Sequence, residues 1–252
     1  MCAMKERLEK LGAWLWLLGP LGVCFSTVLL VSHAAGRPVS AARVVLFAAG
    51  VVAAYALDFW ADHGAQRRPA VLLLAAFASA AGLAAAWWLP GWKIGLAAAL
   101  GLVGLTYRQW KKWPLAKTIL VAGAWTTASV CFPLQGDARN LLFSPFAGAL
   151  FALFAANALL CDLKDGEADA RAGVRSAVVL WGRPATAAVA AALAITGAIA
   201  ALAVGWHGLA GAGAALTALA IFPKTLSRPV LGPALADGAL TLPALLILLR
   251  LA

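Results

Sequence analysis

Nine stretches of this chain, near residues 11–32, 41–61, 69–90, 94–107, 115–134, 141–160, 184–204, 208–223 and 236–252, are apolar and poor in charge. A helix of ~20 apolar residues spans the hydrocarbon core of a bilayer, and only brief connections separate these stretches. The pattern predicts an all-α fold, an integral membrane bundle of about nine transmembrane helices forming a single domain over residues 1–252. The fourth and eighth stretches are short for a span. Hydrophobic residues make up 63% of the chain and charged ones 12%, with mean hydropathy +0.89. Soluble domains carry about a quarter charged residues, so no separate soluble domain is expected. The many Ala and the 24 Gly suit close helix packing in lipid, where small residues let backbones approach. The basic leader MCAMKERLEK has no small-residue cleavage site before a loop, so the first span reads as uncleaved.

Charge fixes an orientation. With the N-terminus inside, fifteen of the twenty Lys and Arg fall in inner segments, and only Arg37, Arg43, Lys93, Arg139 and Arg250 fall outside. That bias predicts a cytoplasmic N-terminus and an outer C-terminus, with residence expected in a bacterial inner membrane. It also accounts for most of the net charge of +10, so a nucleic-acid partner is not expected. The four Cys are scattered without CxxC spacing, and His33, His63 and His207 stand alone. Neither a disulfide framework nor a zinc site is indicated.

Six of the ten acids lie in two groups at the inner ends of the second and sixth spans. Asp58 and Asp62 form one; Asp162, Asp165, Glu167 and Asp169, in CDLKDGEADARAG, form the other. At 100° per residue Asp162, Asp165 and Asp169 share a ~60° arc of a helix, joined by Gly173, while Glu167 lies opposite and reads as a solvated charge. Asp58 and Asp62 share a face likewise. Like charges so close repel, and carboxylates at a membrane boundary cost solvation. A cation offsets both. Oxygen-only ligands favour Mg²⁺, Ca²⁺ or Mn²⁺ over zinc, and Mg²⁺ completes its shell with water and substrate phosphates. Arg67 and Arg68 follow Asp62, and Tyr107, Lys111, Lys112 and Lys117 lie in YRQWKKWPLAK on the same side. These groups suit a Mg²⁺-bound phosphate ester. The bland alternative is a set of ordinary polar helix ends and positive-inside loops.

These residues resemble the UbiA-type intramembrane prenyltransferases. DLKDGEADARAGVRS is similar to the second aspartate-rich motif of that family, and YRQWKKWPLAK to its Tyr-x-x-x-Lys stretch. The tail LADGALTLPALLILL also resembles family text. The first motif departs: where the family reads NDxxDxxxD, this chain has AYALDFWAD, with Ala54 for Asn and Tyr55 for the first Asp. One negative charge and one ligand are lost. The CDP-alcohol phosphatidyltransferase pattern is excluded, because three residues separate Gly166 from Ala170 and no Asp follows before Asp237.

The resemblance implies that Asp58, Asp62, Asp162, Asp165 and Asp169 are catalytic and hold Mg²⁺ on a polyprenyl diphosphate. It implies diphosphate contacts from Arg68, Lys111 and Tyr107, and transfer of the prenyl group to a small acceptor that the sequence does not identify. Trp125 and Trp60 are candidates to face an allylic cation, though core packing is the plainer reading for Trp125. Two alternatives stand beside transfer. One is a catalytically degenerate protein of this fold that binds isoprenoid lipid or a partner. The other is a terpene cyclase of the same type.

Overall fold

In a computed structural model, residues 2–36, 38–62, 69–134, 139–228 and 230–248 are described, with the backbone alone for residues 2–16, 34, 61–62, 108, 139 and 245–248. Within the described residues each apolar stretch forms a helix. Among the described residues the long ones are α1 (Cys2–Ala35), α2 (Ala41–Asp62), α3 (Pro69–Ala86), α4 (Gly91–Trp110), α5 (Ala116–Cys131), α6 (Pro145–Asp162), α8 (Ala177–Ala203), α9 (His207–Ala220) and α11 (Leu231–Leu248). Two short helices, α7 (Gly166–Arg171) and α10 (Pro223–Leu226), and a 3-10 turn at Arg139–Phe143 complete the order. The fold is an all-α membrane bundle. Helices satisfy every backbone group internally, which a lipid environment demands.

Segments Ala41–Trp60, Pro69–Ala86, Pro145–Asp162 and Ala177–Ala203 are long and apolar enough to cross a membrane, and Leu17–His33, Gly91–Tyr107 and His207–Ala220 are shorter apolar helices. Large apolar side chains point outward along these helices, among them Leu73, Phe77 and Leu83 of α3, Leu105 of α4 and Ile199 of α8. Water would penalise such a surface. Lipid does not.

Two boundaries differ from expectation for local reasons. The basic leader continues α1 back to Cys2. The span expected to begin at Pro184 begins at Ala177 and kinks at Gly182, whose φ of 78° and ψ of 166° are non-helical. Pro184 then sits in the first turn after the kink, where a missing N–H costs least.

Helix α6 is the central element. Two-thirds of it is buried inside the protein, and it packs against α5, α8, α9 and α11. Small residues set these approaches. A Cβ on Gly197 of α8 would meet Leu153 of α6 at 2.9 Å, and one on Gly213 of α9 would meet the Ala194 carbonyl of α8 at 2.7 Å. Helix α1 closes the ring against α11, with Gly22 facing Thr241 and the Ser26 hydroxyl donating to the Leu240 carbonyl at 2.9 Å. An aromatic cluster of Phe47, Trp125 and Phe154, edge-to-face and tilted with centroids 5.6–5.8 Å apart, ties α2, α5 and α6 together. The opposite end is pinned by Lys93. It is fully buried and donates to the Phe132 carbonyl at 3.4 Å and the Leu134 carbonyl at 2.5 Å.

Candidate functional site

The second acidic motif is built on a helix end and a turn, not on one continuous helix. Helix α6 stops at Asp162, and the chain turns through Leu163–Asp165 before α7 begins at Gly166. Backbone bonds from the Asp165 N–H to the Asp162 carbonyl at 2.9 Å and from the Asp169 N–H to the Asp165 carbonyl at 2.7 Å keep the path nearly helical. The three aspartates therefore still converge. Gly173 does not join their face. It ends α7 with φ at 68°, its N–H donating to the Ala170 carbonyl while the Val174 N–H donates to the Asp169 carbonyl. This is a Schellman stop, and glycine enters that left-handed backbone without a Cβ penalty. Glu167 is 85% exposed and lies 3.7 Å from the exposed Arg183 guanidinium. It remains a solvated charge.

What the aspartates surround is a lysine. Lys117 Nζ lies 2.8 Å from Asp162 Oδ1, 3.3 Å from Asp169 Oδ2 and 3.6 Å from Asp165 Oδ2. Asp162 is buried, its side chain 5% exposed, while Asp165 is 33% exposed and also pairs with Lys164 at 2.9 Å. Lys117 is delivered by a strained turn between α4 and α5. Leu115 adopts φ of 58°, a conformation that non-glycine residues rarely take, and its N–H donates to the Arg175 carbonyl at 3.3 Å.

The end of α4 adds the neighbouring groups. Tyr107 lies within electrostatic reach of Lys117, Asp162, Asp58 and Asp169. Charges from both acidic motifs, far apart in sequence, thus act on one tyrosine. Lys111 Nζ lies 5.8 Å from the Tyr107 ring centroid. Asp58 is exposed at the end of α2. Of Asp62 only the backbone is described, and Arg68 lies outside the described residues. Beside the site, Leu102, Val103, Thr106 and Trp110 of α4 and Leu120 of α5 line an apolar groove of about 390 Å³.

Tyr55, at the altered position of the first motif, points inward. Its side chain is hydrogen-bonded to Trp125, and Tyr107, Cys161 and Asp237 are its charged or polar neighbours. Trp125 is thereby held between Phe47, Phe154 and Tyr55, a packing role. Three residues matter more than their sequence context announces: Lys117, Asn157 and Asp237. Asn157 Nδ2 of α6 donates to Asp237 Oδ1 of α11 at 3.0 Å. The available signal for Asp237 was an ionisable residue inside the last apolar span, which is costly in lipid unless it is paired or functional.

Among the described residues no group of three or more His, Cys, Asp or Glu is gathered so as to hold a metal by itself. The second motif nevertheless suits a cation beyond Lys117. Asp162 Oδ2 is buried and has no hydrogen-bond partner, and a buried carboxylate oxygen left in that state is costly. All the nearby acidic donors are oxygens, as Mg²⁺ prefers.

The sequence profile of the UbiA prenyltransferase family matches residues 61–231. The chain belongs to that family. The apo structure of a UbiA homolog from Aeropyrum pernix K1 shares the fold, with a TM-score of 0.67 at 17% identity, over 94% of this chain and 98% of that one. No curated protein sequence matches the chain significantly. In this UbiA-family protein the profile match takes in Tyr107, Lys117 and the whole second motif. It begins just past Asp58 and the altered Tyr55, and it ends before Asp237.

Proposed function

We propose that this protein is an intramembrane prenyltransferase that moves a polyprenyl group from an allylic diphosphate to a small acceptor, with Mg²⁺ as cofactor. One observation carries the reading: Asp162, Asp165 and Asp169 converge on a cation beside Tyr107, with Asp58 in electrostatic reach of the same tyrosine. UbiA-family membership implies a prenyl diphosphate and a lipid environment, and members are generally metal-dependent. Asp162 through its unpartnered Oδ2, with Asp165, Asp58 and Asp62, would hold the Mg²⁺. When bound, the ion neutralises diphosphate oxygens and stabilises the charge that grows on them.

The remaining chemistry falls to the chain. As the allylic C–O bond breaks, its electron pair leaves with the diphosphate, and negative charge accumulates at the leaving oxygens. Lys111 and Lys117 are cations at that place, and the Tyr107 hydroxyl is a donor. Groups fixed there stabilise the transition state more than the ground state. The allylic cation is then taken by the acceptor's nucleophile, which gives up its proton. The apolar groove between α4 and α5 suits an isoprenoid tail whose diphosphate sits at the rim.

The altered first motif favours one second reading, a protein of this fold that binds isoprenoid diphosphate without transferring it. Product formation separates the two. Protein in nanodiscs is incubated with labelled allylic diphosphates of increasing chain length and a lipid extract as acceptor source. A labelled, Mg²⁺-dependent lipid product that vanishes in Asp162→Asn is expected. Retained turnover in that variant would remove the aspartates from the mechanism, and binding without product would select the second reading.

A further inference from the structure

Asp58, Asp62, Asp162, Asp165 and Asp169 would bring five negative charges to one site, and two other residues of the chain bear on that balance. Tyr55 removes one acid. Lys117 neutralises another, from inside the cluster. Its position is built in: the left-handed turn at Leu115 starts α5 one residue before Ala116, and the Leu115–Arg175 backbone bond ties that turn to the segment just after the aspartate motif. The Lys117 side chain is 18% exposed, and its ammonium lies within 3.6 Å of all three carboxylates. Asp162 offers it Oδ1 alone, while Oδ2 stays buried without a partner.

We propose that Lys117 is the resident cation of the aspartate cluster. Its ammonium fills the place of one divalent ion, so the site takes up a single ion through Asp162 Oδ2 and the neighbouring carboxylates. The physical reason is tethering. A free ion must be gathered from solution and stripped of water, and Mg²⁺ dehydrates reluctantly. An ammonium anchored on α5 is already present at high effective concentration. Lysine presents a compact charge with three donors, enough for the three carboxylates that surround it. The cluster is then neutralised enough to fold without metal, and it keeps room for one ion, at Asp162 Oδ2 and the neighbouring carboxylates.

The inference deepens the diphosphate-site reading but is tested without diphosphate. Mn²⁺ alone is titrated into the full-length protein in nanodiscs, and bound ions are counted by electron paramagnetic resonance. The wild type is expected to hold one ion. Lys117→Gln is expected to hold two, or to hold the first at least tenfold more tightly, and Lys117→Arg to behave as wild type. Two ions or none in the wild type would overturn the proposal, as would a Lys117→Gln variant with unchanged number and affinity. If Lys117→Gln fails to fold, the wild-type count decides alone. Loss of allylic diphosphate binding would refute the proposed function and leave the ion count, and with it this inference, untouched.

Discussion

Asp237 and Asn157 illustrate how single residues in this bundle are constrained. A carboxylate within a helix of the membrane domain has no bulk water to solvate it, and it persists only with a partner. Asn157 supplies one oxygen's hydrogen bond at 3.0 Å. Gly19 of α1 makes room for the other, because a Cβ there would overlap Asp237 Oδ2. Replacing Asn157 by Ala leaves the acid unpartnered on that side and should destabilise the protein by about 1–3 kcal/mol. A double-mutant cycle with Asp237→Ala, read by thermal unfolding in detergent, should show a coupling of roughly 0.5–3 kcal/mol. Strict additivity would mean that the bond contributes nothing. Tyr55 is constrained differently. Bonded to Trp125 and turned into the core, it serves packing where an acid would have served a metal. The substitution was legible in AYALDFWAD; the inward partner was not, because nothing local in sequence links residue 55 to residue 125.

Among the elements, α8 shows where local conformation overrides hydropathy. Gly182 sits at φ 78° and ψ 166°, a region essentially reserved for glycine. Gly182→Ala should therefore cost about 1–3 kcal/mol, measured as a lowered unfolding midpoint in nanodiscs. An unchanged midpoint would show that the kink relaxes freely. The kink sets the path from Ser176, at the N-terminal end of α8, to the long packed segment against α6. Helix spans were readable from apolar length because lipid leaves a chain few choices. Their ends were less so. The seventh apolar stretch begins near residue 184, whereas α8 starts at Ala177 and has helix on both sides of the Gly182–Pro184 step. The aspartate motif behaved similarly: helical spacing anticipated that Asp162, Asp165 and Asp169 would converge, and they do. The break at Leu163–Asp165 and the stop at Gly173 depend on turn chemistry that spacing alone does not report. Lys117 was visible as a nearby cation, but its place among the acids follows from the strained turn at Leu115, which no residue type in PLAK announces.

At the scale of the molecule, α6 ends in Asp162 while it packs against α5, α8, α9 and α11. Asp162 is thus held by the most buried part of the bundle, and Lys117 reaches it from α5. Under the proposed function, this arrangement would hold charge where a diphosphate leaving group develops it. The central claim is that both acidic motifs serve one metal–diphosphate site. The most direct test is the affinity of the purified protein in nanodiscs for non-hydrolysable allylic diphosphates, with and without Mg²⁺, beside Asp58→Asn and Asp162→Asn. Mg²⁺-dependent binding, weakened at least tenfold in each variant, is expected, since each removes a charge whose ligand contacts are worth a kcal/mol or more (about 1.5–3 kcal/mol for a hydrogen bond to a charged group). Binding that ignores Mg²⁺ and both substitutions, or no binding at any chain length, would contradict it.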